Sequence, residues 1–229
     1  MSRESIVKEE VSFVRHPRAK RYIVRVDSRG KIVLTLPRRG SEHFALGVAN
    51  QHRDWVRERQ SAIESEIAAS ERGFTFGDTI LFRGERYCLE FSKDCGRPVL
   101  GFENQRLFIA DEGMDLRRPL RSFLVPLAKK EFPPRLREFA DEFELSVNRV
   151  TVREQKTRWG SCSSNGTISL NWRLIQAPPE VLEYVMIHEL MHFREMNHSQ
   201  RFWSLVEAAC PNYESCKKWL VDHQSELSW

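Results

Sequence analysis

The segment His188-Glu189-Leu190-Met191-His192, followed six residues later by His198, constrains the fold more than any other stretch of the chain. Residues four apart on an α-helix advance by about 400°, so His188 and His192 project from nearly one face, where both imidazoles can meet one ion. Glu189 sits beside that face. It is near enough to touch a water held by such an ion, yet as the direct neighbour of a ligand it need not bind the ion itself. His198 sets the harder condition, because in a continuing helix it would lie about 9 Å farther along the axis and about 120° away from the other two rings. The helix must therefore end between His192 and His198. Asn197 is expected to take the left-handed conformation that reverses the chain, with Ser199 as N-cap of the next helix.

The helix itself follows from local signals. Pro178 and Pro179 mark a start, and Glu180 places a negative charge in the first turn. Val181, Leu182, Val185, Met186, Leu190 and Phe193 then recur at helical spacing, which predicts a helix buried on one side. The competing reading is two ordinary helical histidines and a solvated one in a loop. The apolar helix, the stop and the third histidine together favour a metal site, with His188, His192 and His198 as ligands and Glu189 as catalytic base. Three neutral imidazoles and an open fourth position point to one zinc ion, other divalent transition metals remaining possible. The expected chemistry is metal-dependent hydrolysis, in which Glu189 takes a proton from the metal-bound water and returns it to the leaving group.

At 229 residues, with 41% hydrophobic and 30% charged residues, the chain has a globular composition. No apolar run approaches the ~20 residues that span a bilayer, and the start MSRESIVKEE has no signal-peptide core, so a cytoplasmic protein without membrane contact is expected. The cysteines Cys88, Cys95, Cys162, Cys210 and Cys216 are odd in number and lack Cys-x-x-Cys spacing, which predicts reduced thiols. Cys162 is read as a packing residue rather than a nucleophile.

Charge is unevenly spread. Residues 1–60 hold fourteen Lys or Arg against seven Asp or Glu, the excess lying in Arg15, Arg18, Lys20, Arg21, Arg25, Arg29, Lys31, Arg38 and Arg39. Such a patch attracts nucleotides or nucleic acid, or else it is simply the solvated face of a sheet.

The organisation predicted is α+β. Tyr22–Val26 and Ile32–Leu36 read as a hairpin around Asp27-Ser28-Arg29-Gly30, one long helix runs from Ser41 to about Ala69, and β-rich runs cover 79–91 and 99–109. A composition shift at Asp111–Asp115 marks a linker, dividing a mixed β module over 1–112 from a mainly helical domain over 113–229. Leu116–Glu144 is helical, though Pro119, Pro126, Pro133 and Pro134 should break or kink it. Short strands at Val147–Val152 and Thr167–Leu170 flank a loop over 158–166. Helices near Gln200–Ala209 and Asn212–Gln224 close the chain, with His223 as a surface or capping residue.

Lys156-Thr157-Arg158-Trp159-Gly160-Ser161-Cys162-Ser163, Ile168-Ser169-Leu170-Asn171-Trp172-Arg173-Leu174 and the run from His188 through Trp203 together resemble the YgjP-like metallopeptidase family, a relative of the SprT-like proteases. Arg18-Ala19-Lys20-Arg21, Leu36-Pro37-Arg38 and Trp55 are similar to its N-terminal half. The resemblance implies a zincin-like C-terminal domain with a small sheet beside the metal helix, His188, His192 and His198 as ligands and Glu189 as base; it does not settle the substrate, for which a peptide or protein is expected from the metal-assisted mechanism. Ile168–Asn171 is either the strand that pairs with extended substrate or an interior strand with Asn171 as a turn residue. Trp159, Trp172 and Trp203 are core or cleft residues, and Arg158 or Tyr184 is a candidate for stabilising an oxyanion. Two alternatives stand beside the zinc endopeptidase: a nucleotide phosphoanhydride hydrolase using the same ion and the basic module, and a DNA-associated protease or nucleic-acid-binding module.

Overall fold

The computed structural model describes residues 5–155 and 157–229, without the side chains of residues 65–71, so Lys156 of the resembling segment lies outside the described residues. The chain forms two compact units, Met1–Arg72 and Gly73–Trp229, each with a separate hydrophobic core.

The first unit is a three-stranded sheet with two helices. Strands β1 (Val11–His16), β2 (Ile23–Val26) and β3 (Ile32–Pro37) lie in the order β1-β3-β2, with β3 parallel to β1 and antiparallel to β2. The β2–β3 hairpin closes as its turn chemistry requires. Asp27 accepts from the amides of Arg29 and Lys31, and Gly30 takes the left-handed φ of 77°. Ile32, Leu34 and Leu36 of the central strand pack on Ala45, Ala49 and Val56 of helices α1 (Glu42–Gln51) and α2 (Arg53–Arg72).

A single long helix was expected here, and the chain instead breaks at His52. Two residues earlier the Asn50 amide is engaged with both backbone groups of Ile6 and with the Leu46 carbonyl, a side-chain competition that disfavours uninterrupted helix. Part of the basic excess is also compensated within this unit, since Lys8 and Arg15 pair with Glu42 and Arg57 pairs with Glu10.

The second unit begins with β4 (Thr79–Phe82), β5 (Glu85–Cys88), β6 (Glu90–Asp94), β7 (Arg97–Phe102) and β8 (Gln105–Phe108), a hairpin followed by an antiparallel meander. These strands share one core with the helices after them, so the division falls after Arg72 and the composition shift at Asp111–Asp115 lies inside the second unit. The reason is local. The β4–β5 turn docks on the segment that precedes the helix bearing His188, Arg83 and Gly84 donating to the carbonyls of Ile175 and Gln176 at 3.1 and 2.9 Å. Gly84 has φ 87°, and an added Cβ there would meet Pro178 at 2.7 Å.

Helix α3 (Arg117–Glu142) runs unbroken through Pro126, Pro133 and Pro134. Leu120, Leu124, Ala128, Phe132, Leu136 and Ala140 form a buried stripe at four-residue intervals. The carbonyls those prolines leave unpaired belong to Ser122, Lys129 and Lys130, all exposed, so water can satisfy them. Strands β9 (Arg149–Arg153), β10 (Gly160–Cys162) and β11 (Thr167–Asn171) follow, with β11 in the middle, parallel to β9 and antiparallel to β10. The expected loop over 158–166 is thus largely an edge strand and its turn. After a short 3-10 segment at Trp172–Gln176 come α4 (Pro179–Met191), α5 (Gln200–Ala209), α6 (Tyr213–Asp222) and α7 (Gln224–Leu227). Among the described residues, no helix is long and apolar enough to cross a membrane.

Candidate metal centre

Helix α4 buries Val181, Val185, Met186, Ile187, Leu190 and Met191, which fixes the direction of its remaining side chains. It stops at His192, whose backbone is still helical, and the amides of Phe193, Arg194 and Glu195 fold back on the carbonyls of Leu190 and Met191. Asn197 is not in the left-handed region. The chain reverses through this tightened turn instead, with no residue needing a positive φ. Ser199 then caps α5 by accepting from the Phe202 amide at 3.3 Å, which returns His198 to the side of α4.

The result is a cluster in which His188, His192 and His198 each offer a ring nitrogen, all within 4.8 Å of one another, a set that can hold a metal ion. The Nε2 atoms of His188 and His198 are 3.0 Å apart. Two nitrogens bound ~2.0–2.1 Å from one tetrahedral ion would sit roughly 3.3 Å apart, so little adjustment separates this arrangement from a ligand pair. His192 Nδ1 lies 3.1 Å from the Glu195 carbonyl. A carbonyl can only accept, so it selects the tautomer with the proton on Nδ1 and leaves Nε2 bare, the usual device for orienting a ligand imidazole. Burial and the neighbouring rings of His192 and His198 push His188 down to about 3, and burial likewise lowers His192, so both are neutral and fit to bind a cation. Phe202 packs against all three rings, with centroids 4.6 to 4.9 Å away.

Glu189 is 5% exposed and lies against β10. A Cβ built on Gly160 would fall 2.5 Å from the Glu189 Oε1 and 2.7 Å from its Cγ, so the missing side chain at 160 is the space the carboxylate occupies. Burial pushes the Glu189 carboxyl up to about 8, and the Arg158 guanidinium pulls it the other way. Cys162 stands two positions along the same strand from Gly160. Burial and the Glu189 charge raise its thiol to about 11, which agrees with a packing role and not a thiolate.

Gly160 was not singled out in the sequence, because its partner is 29 positions away and close approach is a tertiary fact. Its φ lies outside the left-handed region, so alanine is tolerated by the backbone and only the space is lost. Gly160→Ala is therefore expected to keep the fold and the metal while shifting Glu189 and lowering kcat by about 10²-fold. An unchanged kcat in the folded variant would show that the carboxylate does not depend on that gap.

The loop before β10 is pinned by Asn171, 2% exposed, whose Nδ2 donates to the carbonyls of Gln155 and Arg158 at 2.8 and 3.1 Å and whose Oδ1 accepts from the Arg173 amide. Asn171→Ala leaves those three part-buried backbone groups without their side-chain partner and is expected to lower stability by on the order of 2 kcal/mol in denaturant unfolding. A change under about 0.5 kcal/mol would mean that water replaces the amide.

Other sequence candidates separate cleanly. Trp172 is a core residue at 2% exposure, Trp159 is half-buried, and Trp203 faces the centre with its ring 5.7 and 5.8 Å from His188 and His198. Tyr184 packs edge-on against His188 at 6.0 Å, and burial raises its phenol to about 12. Arg158 is exposed. His223 caps α6 and stacks on Trp219, away from the cluster. Strand β11 is interior and has both edges occupied, so Ile168–Asn171 cannot take up substrate; β9 and β10 are the edge strands, and of the two β10 carries Gly160 against Glu189. All five cysteines are free.

A three-histidine cluster at the end of a buried helix, joined to a small mixed sheet, has the character of a metal-dependent hydrolase. Over residues 20–223 the sequence matches the family described as YgjP-like, metallopeptidase domain, and the chain belongs to that family. The comparison with curated proteins returns no match. Among solved structures, the metallopeptidase zymogen abylysin of Pyrococcus abyssi is 26% identical with a TM-score of 0.35, covering 39% of this chain and 91% of its own. Jannalysin of Methanocaldococcus jannaschii, also a metallopeptidase zymogen, is 21% identical with a TM-score of 0.34, covering 38% of this chain and 90% of its own.

Proposed function

We propose that the protein is a zinc-dependent endopeptidase in which His188, His192 and His198 hold one ion and Glu189 is the general base. The observation that carries this reading is the Glu189 carboxylate, buried in the gap at Gly160 and adjacent in sequence to the three-histidine cluster. When bound, the ion supplies Lewis acidity to a carbonyl and lowers the pKa of a water at its open position. Burial keeps His188 and His192 neutral, and the Glu195 carbonyl, which can only accept, leaves the His192 Nε2 free to bind the ion. Glu189 takes the proton of the attacking water and hands it to the leaving amine, in a site where burial strengthens each such interaction. The outer edge of β10, beside Glu189, is the natural place for an extended peptide to add as a strand.

Zinc is favoured over harder ions by the all-nitrogen donor set, which also speaks against the magnesium chemistry typical of phosphoanhydride hydrolysis. The nucleotide and nucleic-acid alternatives rest on the basic segment of the first unit. Unfolded proteins and nucleoside triphosphates, offered side by side to metal-reconstituted protein with and without chelator, decide among them. Chelator-sensitive cleavage of the protein substrate is expected. Triphosphate hydrolysis alone would overturn the peptidase assignment, and tight, salt-dependent DNA binding would bring the nucleic-acid reading forward.

A further inference from the structure

A recess of about 420 Å³ opens between α5 and α6, lined by Trp203, Tyr213, Glu214, Lys217, Lys218 and Val221. It lies within the ~300–1,000 Å³ range of ligand sites. Its position is what gives it meaning. Trp203 belongs both to this recess and to the surroundings of the histidines, with His188 and His198 less than 6 Å from its ring centroid. The indole also stacks on Tyr213 at 5.5 Å. One aromatic plate thus separates the recess from the metal centre. An extended peptide advances ~3.3 Å per residue, so a residue one or two positions from the scissile bond can reach past the indole.

The charges facing the recess are not equivalent. Lys218 is neutralised by Asp222 at 2.8 Å, and Glu214 accepts from the Tyr213 hydroxyl at 3.5 Å. Lys217 holds its ammonium 4.8 Å above the Trp203 ring, with no ion-pair partner among the described residues. A cation resting on a ring face keeps donors directed outward, and the indole limits where they can be.

We propose that this recess is a substrate subsite and that Lys217 on Trp203 receives a carboxylate of the peptide close to the bond to be cleaved. The inference rests on the peptidase reading. The carboxylate comes either from an acidic side chain or from the C-terminus of the peptide itself, and the two are separable by experiment.

Matched decapeptides with amidated ends, carrying Glu, Gln or Lys at one position, together with a neutral peptide with a free C-terminus, are titrated calorimetrically into the zinc-loaded Glu189→Gln variant. That variant binds without turnover. A carboxylate is expected to tighten binding roughly fivefold over its neutral counterpart, less so at high salt. Lys217→Gln removes the difference, and Lys217→Glu reverses it in favour of the Lys peptide. The arm that shows the gain names the source of the carboxylate. Equal affinity for Glu, Gln and free-carboxylate peptides, or an acid preference that survives Lys217→Glu, overturns the subsite. A Lys217-dependent preference in protein that cleaves no peptide in its wild-type, zinc-loaded form upholds the subsite and sinks the peptidase assignment.

Discussion

Glu189→Gln is expected to keep the metal and lose hydrolysis, with a fall in rate of about 10²–10⁴-fold, the range attributed to a positioned acid–base group. The substitution is close to isosteric and the amide fits the same gap at Gly160, so the fold and the three imidazoles are left alone. What disappears is the ability to take up a proton. Metal content by atomic absorption and cleavage of an unfolded protein, measured on one preparation, separate the two effects. Full activity with full metal would eliminate Glu189 as the base. Any activity that vanishes in this variant belongs to this site and not to a contaminant, which makes it the right control for every substrate screen.

His198→Ala is expected to lower metal affinity by at least about 100-fold and to abolish activity with it, since even outer groups that only orient a ligand are worth 10–100-fold. His188 and His192 remain on α4, but two imidazoles from one helix are a bidentate site open on the other side. His198 is exposed, so its loss removes ring contacts with Phe202 and Trp203 but opens no buried cavity, and the variant is expected to fold. The metal-to-protein ratio after dialysis against a weak chelator reads the result directly. An unchanged ratio would remove His198 from the ligand set.

The helix bearing His188 and His192, the need for a corner before His198 and the cap at Ser199 were all legible, because each follows from local geometry or a hydrogen bond within three residues. The means of reversal was not. Asn197 has a left-handed tendency, yet the chain had already turned on backbone hydrogen bonds at 193–195, which any residues could make. The helix at Leu116–Glu144 is legible, and the prolines expected to break or kink it do not break it, because the apolar stripe from Leu120 to Ala140 is the stronger signal. Asn165-Gly166, among the clearest of hairpin dipeptides, closes the β10–β11 turn with Gly166 at φ 75°, so the signal for a hairpin lies inside the expected loop over 158–166. Strand β1 went unseen because its partner β3 is parallel and distant in sequence, and such pairing leaves no turn signature. Composition changes near residue 112, whereas the contacts that tie the β-rich region to the 3-10 segment before α4 run through Arg83 and Gly84 and leave no mark in composition.

The Glu195 carbonyl that orients His192 is backbone, so no exchange of the side chain at 195 can remove it. The chain is thereby insured against point mutation at the group that sets the tautomer, but not against a change in length. One inserted or deleted residue between His192 and His198 would move the carbonyl off one imidazole and swing the other off the cluster together. With the ligand set proposed above, the number of residues in this corner is itself a coordination parameter, and related chains that keep that set are expected to vary its sequence while holding its length.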